Sequence, residues 1–234
     1  MAKMSYQIAR NIELVRQKIA KRCQSLGQDT AGITIVGITK TYPPQAAFEA
    51  IKAGLTDLGE NRIQEAAEKI PQVQPRPIWH LVGHLQKNKV KKAVELFDCI
   101  QSVDSVELAG SISEKAGAMG KKMIIFLQVN SSGETQKSGF EPTEITKVID
   151  ELKSLPNLAI SGLMTIGPLT EDTRQIEKSF AMTRNLFEQI QKMTGCGFNK
   201  LSMGMSGDYE LALDYGANVL RIGTAIFGER RIDK

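Results

Sequence analysis

The sequence predicts an α/β fold: a single (β/α)8 TIM barrel preceded by an extra N-terminal helix. The main observation is alternation. Short β-rich runs lie near residues 33–39, 56–59, 78–83, 99–103, 123–130, 159–164, 200–203 and 219–222, with helical patterns between them. Such alternation implies parallel strands joined by crossover helices. A doubly wound open sheet satisfies alternation nearly as well, and the count of eight runs favours the barrel. The second observation is size. The chain has 234 residues, 41% of them hydrophobic, which fills one sizeable core. No linker, low-complexity tract or composition shift interrupts it, so residues 1–234 read as one domain.

The first element is a helix over residues 5–26. Ile8, Ile12, Val15, Ile19, Cys23 and Leu26 recur at spacings of three and four, with Arg16, Gln17, Lys21 and Arg22 mostly on other faces. Ser5 is its expected N-cap and Gly27 its expected stop. The second strand, 56–59, is the least strand-like run, because Asp57, Gly59 and Glu60 are poor strand formers. The clearest later helix is 172–193, with Ile176, Phe180, Phe187 and Ile190 along one stripe.

Composition narrows the function. Net charge is +4 from 30 basic and 26 acidic residues, well mixed, which gives no argument for nucleic acid. The start lacks the apolar core of a signal peptide, and no apolar run is long enough to span a membrane. Cys23, Cys99 and Cys196 are odd in number and widely separated, so a disulfide framework or zinc site is not expected. With only two histidines, a His-rich metal site is excluded. A cytoplasmic protein is the default. The run Lys87-Asn88-Lys89-Val90-Lys91-Lys92 reads as a solvated helix face without interleaved aromatics. Lys137, in the loop 133–139, reads as surface charge on the mouth side.

In a barrel, chemistry sits at the C-terminal ends of the strands. Lys40 follows the first strand, Glu60 and Asn61 the second, and His80 and His84 lie in and just beyond the third. Asn130 and Ser131 follow the fifth, and Met164 and Thr165 end the sixth. A lysine at a strand end commonly snorkels to water. The segments downstream change that reading. Ser202-Met203-Gly204-Met205-Ser206-Gly207 passes from strand to loop to helix, with glycines that admit close backbone approach and hydroxyls that donate. Arg221-Ile222-Gly223-Thr224 repeats the arrangement on the next strand. Each alone reads as a tight turn with a helix cap. Two at adjacent barrel positions read as a phosphate cup. A lysine facing a phosphate cup is what a pyridoxal phosphate (PLP) site needs, because the neutral amine captures the aldehyde while the cup grips the other end. Arg221 lies inside an apolar strand and needs a partner or a ligand. Against the pyridine nitrogen it donates and cannot accept, so that nitrogen stays unprotonated and the ring is a weaker electron sink. One of Trp79 and His80 is expected to point into the barrel.

The stretches Val36-Gly37-Ile38-Thr39-Lys40-Thr41, Gly59-Glu60-Asn61-Arg62-Ile63-Gln64-Glu65, 79–89 from Trp79 to Lys89, Lys137-Ser138-Gly139, Gly162-Leu163-Met164, Ser202-Met203-Gly204-Met205-Ser206 and 221–228 together closely resemble the YggS/PROSC family of PLP-binding homeostasis proteins. They span nearly the whole chain in order. Tyr42 departs from the basic residue common there, at a position that varies. The resemblance implies a barrel like the N-terminal domain of alanine racemase. It implies an aldimine on Lys40, with Ser202, Gly204, Met205, Ser206, Gly223 and Thr224 around the phosphate and Arg221 at the pyridine nitrogen. It places Asn61 and His80 near the ring and Met164 and Met203 along the pocket.

Members of that family are regarded as carriers or regulators of vitamin B6 and amino-acid pools without an established catalytic activity. The expectation is therefore a monomeric, cytoplasmic, non-catalytic PLP carrier or buffer. Its partners are PLP itself and PLP-dependent apoenzymes or PLP-producing enzymes, with no nucleic acid, membrane or metal. Racemisation needs a base on each face of the substrate. In the racemase type the second base comes from the other subunit's C-terminal domain, and this chain ends six residues after Gly228. A low-activity PLP-dependent racemase or transaminase is the alternative, and a cofactor-free Schiff-base lyase for sugar phosphates is the third reading.

Overall fold

A computed structural model describes residues 2–134 and 138–229. Lys137 and the last five residues lie outside the described residues. Eight strands hydrogen-bond in sequence order, all parallel: β1 (Thr34–Ile38), β2 (Asp57–Glu60), β3 (Ile78–Leu81), β4 (Cys99–Val103), β5 (Met123–Val129), β6 (Leu158–Thr165), β7 (Lys200–Ser202) and β8 (Val219–Ile222). β8 returns to pair with β1, with Val36 opposite Arg221, and the barrel closes. The barrel, not the open sheet, is the fold.

Helices wrap the outside. α1 (Ala2–Ser25) precedes the barrel. α2 (Pro44–Lys52), α3 (Ile63–Lys69), α4 (Val90–Leu96), α5 (Val106–Ala118), α6 (Pro142–Ile145), α7 (Ile149–Lys153), α8 (Thr173–Thr194), α9 (Tyr209–Asp214) and α10 (Thr224–Phe227) follow the strands. α1 packs against α2, α9 and α10, burying Ile8, Ile12, Val15, Ile19 and Cys23. Asn11 Nδ2 donates to Ile226 O at 2.8 Å, and Arg22 pairs with Asp214, which tie this helix to α10 and α9. Ser5 does not cap α1. The helix begins earlier, and the Ser5 hydroxyl donates to Glu49 on α2. Gly27, with φ +63°, ends the helix as expected. No helix among the described residues is long and apolar enough to cross a membrane.

Period-2 alternation divides each strand between two environments. Leu58, Trp79, Leu81, Ile125, Leu127, Leu163, Leu201 and Leu220 point outward and join the helix residues in one large core. Val36, Ile38, Val82, Cys99, Phe126, Met164 and Val219 form a second apolar cluster inside the barrel. Trp79 is therefore the outward residue and His80 the inward one. β2 forms despite its poor strand formers because tertiary partners override propensity. Asp57 and Glu60 are both buried, one held by His80 and the other by Lys69.

Candidate functional site at the barrel mouth

Lys40 leaves the top of β1. Thr39 still bonds Gly59 O through its amide at 3.0 Å, which carries the strand one residue further. Alternation puts Lys40 on the inner side with Val36 and Ile38, and it is half-buried. The next strand in space is β8, which carries Arg221. The guanidinium is buried inside the barrel, donating from Nη1 to Ser202 Oγ and from Nη2 to Thr165 O, both at 2.6 Å. Burial pushes its pKa down to about 10, against the raising effect of Asp208, so it remains a cation at neutral pH.

Arg221 starts a hydrogen-bond chain that crosses the interior. Guanidinium groups only donate, so Ser202 Oγ accepts from Arg221 and turns its own proton to Gln101 Oε1, 2.6 Å away. That fixes the Gln101 amide, whose Nε2 donates to His80 Nδ1 at 2.9 Å. His80 therefore carries its proton on Nε2 and donates to Asp57 Oδ1 at 2.9 Å. Burial works to raise the Asp57 carboxyl, but the bonds from His80 and Thr56 outweigh it and hold it below its ordinary value. A buried cation and a buried anion are thus joined by three neutral relays, all pointing one way.

The loops after β7 and β8 meet beside this chain. Ser206 Oγ accepts from the amides of Gly223 (3.2 Å) and Ala225 (3.1 Å), so those two N–H groups converge on one oxygen. Two amides aimed at one oxygen suit a phosphate oxygen equally well. The turn depends on Gly204, at φ +90°, where a Cβ would lie 2.6 Å from Ala212 Cβ and 2.9 Å from Tyr209 Cα. Gly204 O in turn accepts from Arg221 N at 3.1 Å, which ties the two loops together. Met205 is exposed in this loop, with its amide bonded to Asp208, and Thr224 is exposed at the first turn of α10.

A cavity of about 240 Å³ opens at the mouth, lined by Asn61, His84, Gln128, Asn130, Ser138 and neighbours. A larger cleft of about 510 Å³ adjoins it, sharing Asn61 and His84 and adding Arg62 and Lys89. Gly83 lets the two loops that line both spaces touch, because a Cβ there would meet Asn61 O at 2.3 Å.

The structure brings together Lys40, Asn61, His80, Met164, Ser202, Gly204, Ser206, Arg221 and Gly223 at or just beneath one end of the barrel. Two side chains take other directions. Ser202 turns its hydroxyl into the barrel, committed to Gln101 and Arg221, so any hold it has on a phosphate runs through its main chain. Met203 is fully buried in the outer core, on the helix side of the strand. Sequence reasoning missed Gln101 and Lys69. Gln101 was legible as a polar residue at an inner-phase position of a buried strand. Lys69 was legible only as the i+4 partner of Glu65.

A closed parallel barrel with a lysine just beyond β1, an arginine inside β8 and paired glycine loops after β7 and β8 defines a cofactor-barrel class. The family model described as the alanine racemase N-terminal domain matches residues 7–231, and the chain belongs to that family. Within it, several curated relatives share a name. A "Pyridoxal phosphate homeostasis protein" of Pseudomonas aeruginosa is 39% identical over 95% of this chain and 96% of its own. That of Escherichia coli is 34% identical over 97% and 98%. Among solved structures, PipY of Synechococcus elongatus with PLP bound superposes with TM-score 0.84 at 35% identity, covering 95% of this chain and 100% of that one. Alanine racemase of Clostridium difficile superposes with TM-score 0.73 at 19% identity, and the chain spans 57% of its length, a likeness of fold alone.

Proposed function

We propose that this protein binds PLP reversibly at the barrel mouth, held covalently by Lys40, and serves in vitamin B6 homeostasis as a carrier or buffer without robust catalysis. The reading treats residues 1–234 as one cofactor-binding domain. The observation that carries it is a half-buried lysine two residues beyond β1 at the barrel mouth, above a buried arginine on the neighbouring strand β8 that pairs with Val36, beside amides that converge on one oxygen. The residues present fit the cofactor: a primary amine, a buried donor-only cation and an anion cradle at the same end of the barrel. The binding stated for PipY and the names of the curated relatives support the same ligand.

PLP supplies an aldehyde that a neutral amine captures with loss of water, and a ring that withdraws electrons. Lys40 Nζ is the nucleophile. Ser206, Gly223, Ala225 and Thr224, with the main chain of 202–205, hold the phosphate end. Arg221 would donate to the pyridine nitrogen, its orientation set by Ser202 and Thr165. Asn61 would lie beside the ring, His80 acts only through the interior chain, and Met164 would form the apolar floor. A donor-only cation at the ring nitrogen favours holding over turnover, which supports the non-catalytic reading. The three cysteines are free, two of them buried, which fits a reducing, cytoplasmic setting. A monomer that hands PLP to apoenzymes completes the proposal.

The test is the visible absorbance of the purified protein with added PLP, before and after borohydride, followed by peptide mapping. A band that borohydride removes, with the label on Lys40, is expected. Lys40→Ala is expected to lose the band and keep its far-UV dichroism, because a mouth residue adds little to the core. No band on the wild-type protein overturns the proposal. Repeated solvent exchange at the Cα of an added amino acid in deuterated water overturns its non-catalytic part and favours a racemase or transaminase.

A further inference from the structure

On the outer side of the barrel, behind Lys40, lies an ionic cluster that takes no part in the cofactor reading. Glu60 ends β2 and is fully buried. Gly59 has the inward phase, so Glu60 turns outward to α3. Lys69, the last residue of α3 and 3% exposed, reaches back to it. Its Nζ donates to Glu60 Oε1 at 2.6 Å, to Glu65 Oε1 at 2.9 Å and to Thr39 O at 2.6 Å. Thr39 Oγ1 donates to Glu60 Oε1 at 2.6 Å, and Glu65 Oε1 accepts from the amide of Thr41 at 2.5 Å. The carbonyl and hydroxyl before Lys40 and the amide after it are therefore all held by one cluster.

The backbone there needs holding. Thr41 has φ +69° and is the only non-glycine residue with positive φ among the described residues. A β-branched residue is strained in that region. A sharp turn directly after a strand is ordinarily made with glycine. Here the turn is made with a threonine and an anchoring carboxylate. The cost of burying Glu60 and Lys69 is substantial, and a buried pair is weak evidence for stability. Its reach to both flanks of one lysine gives it a different use.

We propose that Glu60, Lys69 and Glu65 are positioning residues. They clamp the main chain of residues 39–41 from outside the barrel and so fix the point from which the Lys40 side chain enters the mouth. The inference rests on the reading of Lys40 as the aldehyde-capturing amine. In that step the Nζ–carbon bond forms, the aldehyde oxygen leaves as water, and no further reactant is needed. The cluster touches none of the reacting atoms. It acts by keeping the amine in reach of the aldehyde, and small misplacements of a reacting group cost rate steeply.

The experiment is the stopped-flow rate of growth of the visible band when PLP is added to apo-protein, with the melting temperature of each apo-variant. Glu65 is the variant site, because its side chain is 26% exposed and its loss leaves the buried Glu60–Lys69 pair intact. Glu65→Ala is expected to slow capture about tenfold while melting close to wild type. Adding Thr41→Gly to Glu65→Ala is expected to restore most of the rate, because glycine takes positive φ without an anchor. Glu65→Gln, which keeps an acceptor oxygen and loses the charge, is expected to capture at the wild-type rate. Wild-type capture by Glu65→Ala, no restoration by Thr41→Gly, or a Glu65→Gln as slow as Glu65→Ala each overturns the positioning role. Wild-type protein that gives no band, or a borohydride label on a residue other than Lys40, sinks the reading of Lys40 instead.

Discussion

At the scale of single residues, the polar interior is decided by donor and acceptor counting. Arg221 cannot accept, Asp57 cannot donate while ionised, and the three side chains between them must orient to match. Gln101→Leu keeps the volume and cuts the chain in its middle. His80 Nδ1 then loses its donor and the Ser202 hydroxyl loses the acceptor of its proton inside a buried space, while Arg221 still donates to Ser202. That variant is expected to lose about 1–3 kcal/mol of stability, read as a lower urea midpoint at unchanged slope. An unchanged midpoint would mean that water replaces the amide.

Glu60 makes a second prediction at this scale. Burial raises its carboxyl above the ordinary glutamate value, with the Lys69 ion pair working against that shift. A raised acid binds its proton more tightly folded than unfolded. Stability from this group is thus present below the ordinary glutamate pKa and falls as pH rises through the folded one. Glu60→Gln is expected to lack that fall. Denaturant midpoints measured across this pH range test it, and parallel profiles for the two proteins would contradict it.

At the scale of elements, the proposed phosphate cup is a property of two loops and the short helices that follow them. Ser206 bridges from the β7 loop to the first amides of α10, and Gly204 makes the bridge by turning the chain at positive φ against α9. Gly204→Ala has no relief, since the added carbon meets backbone at Tyr209 as well as the Ala212 side chain. It is expected to cost about 1–3 kcal/mol from backbone strain alone and to weaken PLP retention on gel filtration. Retention equal to wild type would show that the cup forms without this turn. The sequence marked these loops through their Gly and Ser residues. It could not show the direction of each side chain. Ser202 and Met203 are neighbours, and period 2 sends one into the barrel and the other to the helices.

At the scale of the whole molecule, the barrel is unevenly sealed. β5 and β6 share seven register pairs, whereas β7 and β8 share one, Ser202 with Val219. Across that seam run the amides of Asn218 to Leu201 O and Arg221 to Gly204 O, each at 3.1 Å. The seam also carries the proposed cup. Hydrogen exchange of the apo-protein is expected to free the amides of Asn218 and Arg221 before those of β5 and β6, with PLP slowing the former selectively. Uniform protection around the barrel would contradict this.

The sequence by itself determined the alternation of strands and helices, the polar residues at strand ends and the lysine opposite two glycine loops. These are local patterns, and hydrophobic periodicity and turn chemistry report them directly. It was enough for the barrel, its mouth and the membership the relatives share. Only the tertiary structure decided what the buried polar groups do. Gln101 and Ser202 lie 101 residues apart and meet because β4 and β7 face each other across a closed barrel. Lys69 reads as an exposed helix end until α3 folds back over β2 and turns it to Glu60 and the carbonyl of Thr39. Barrel closure and strand phase set these pairings, and neither is written in any single segment of the chain.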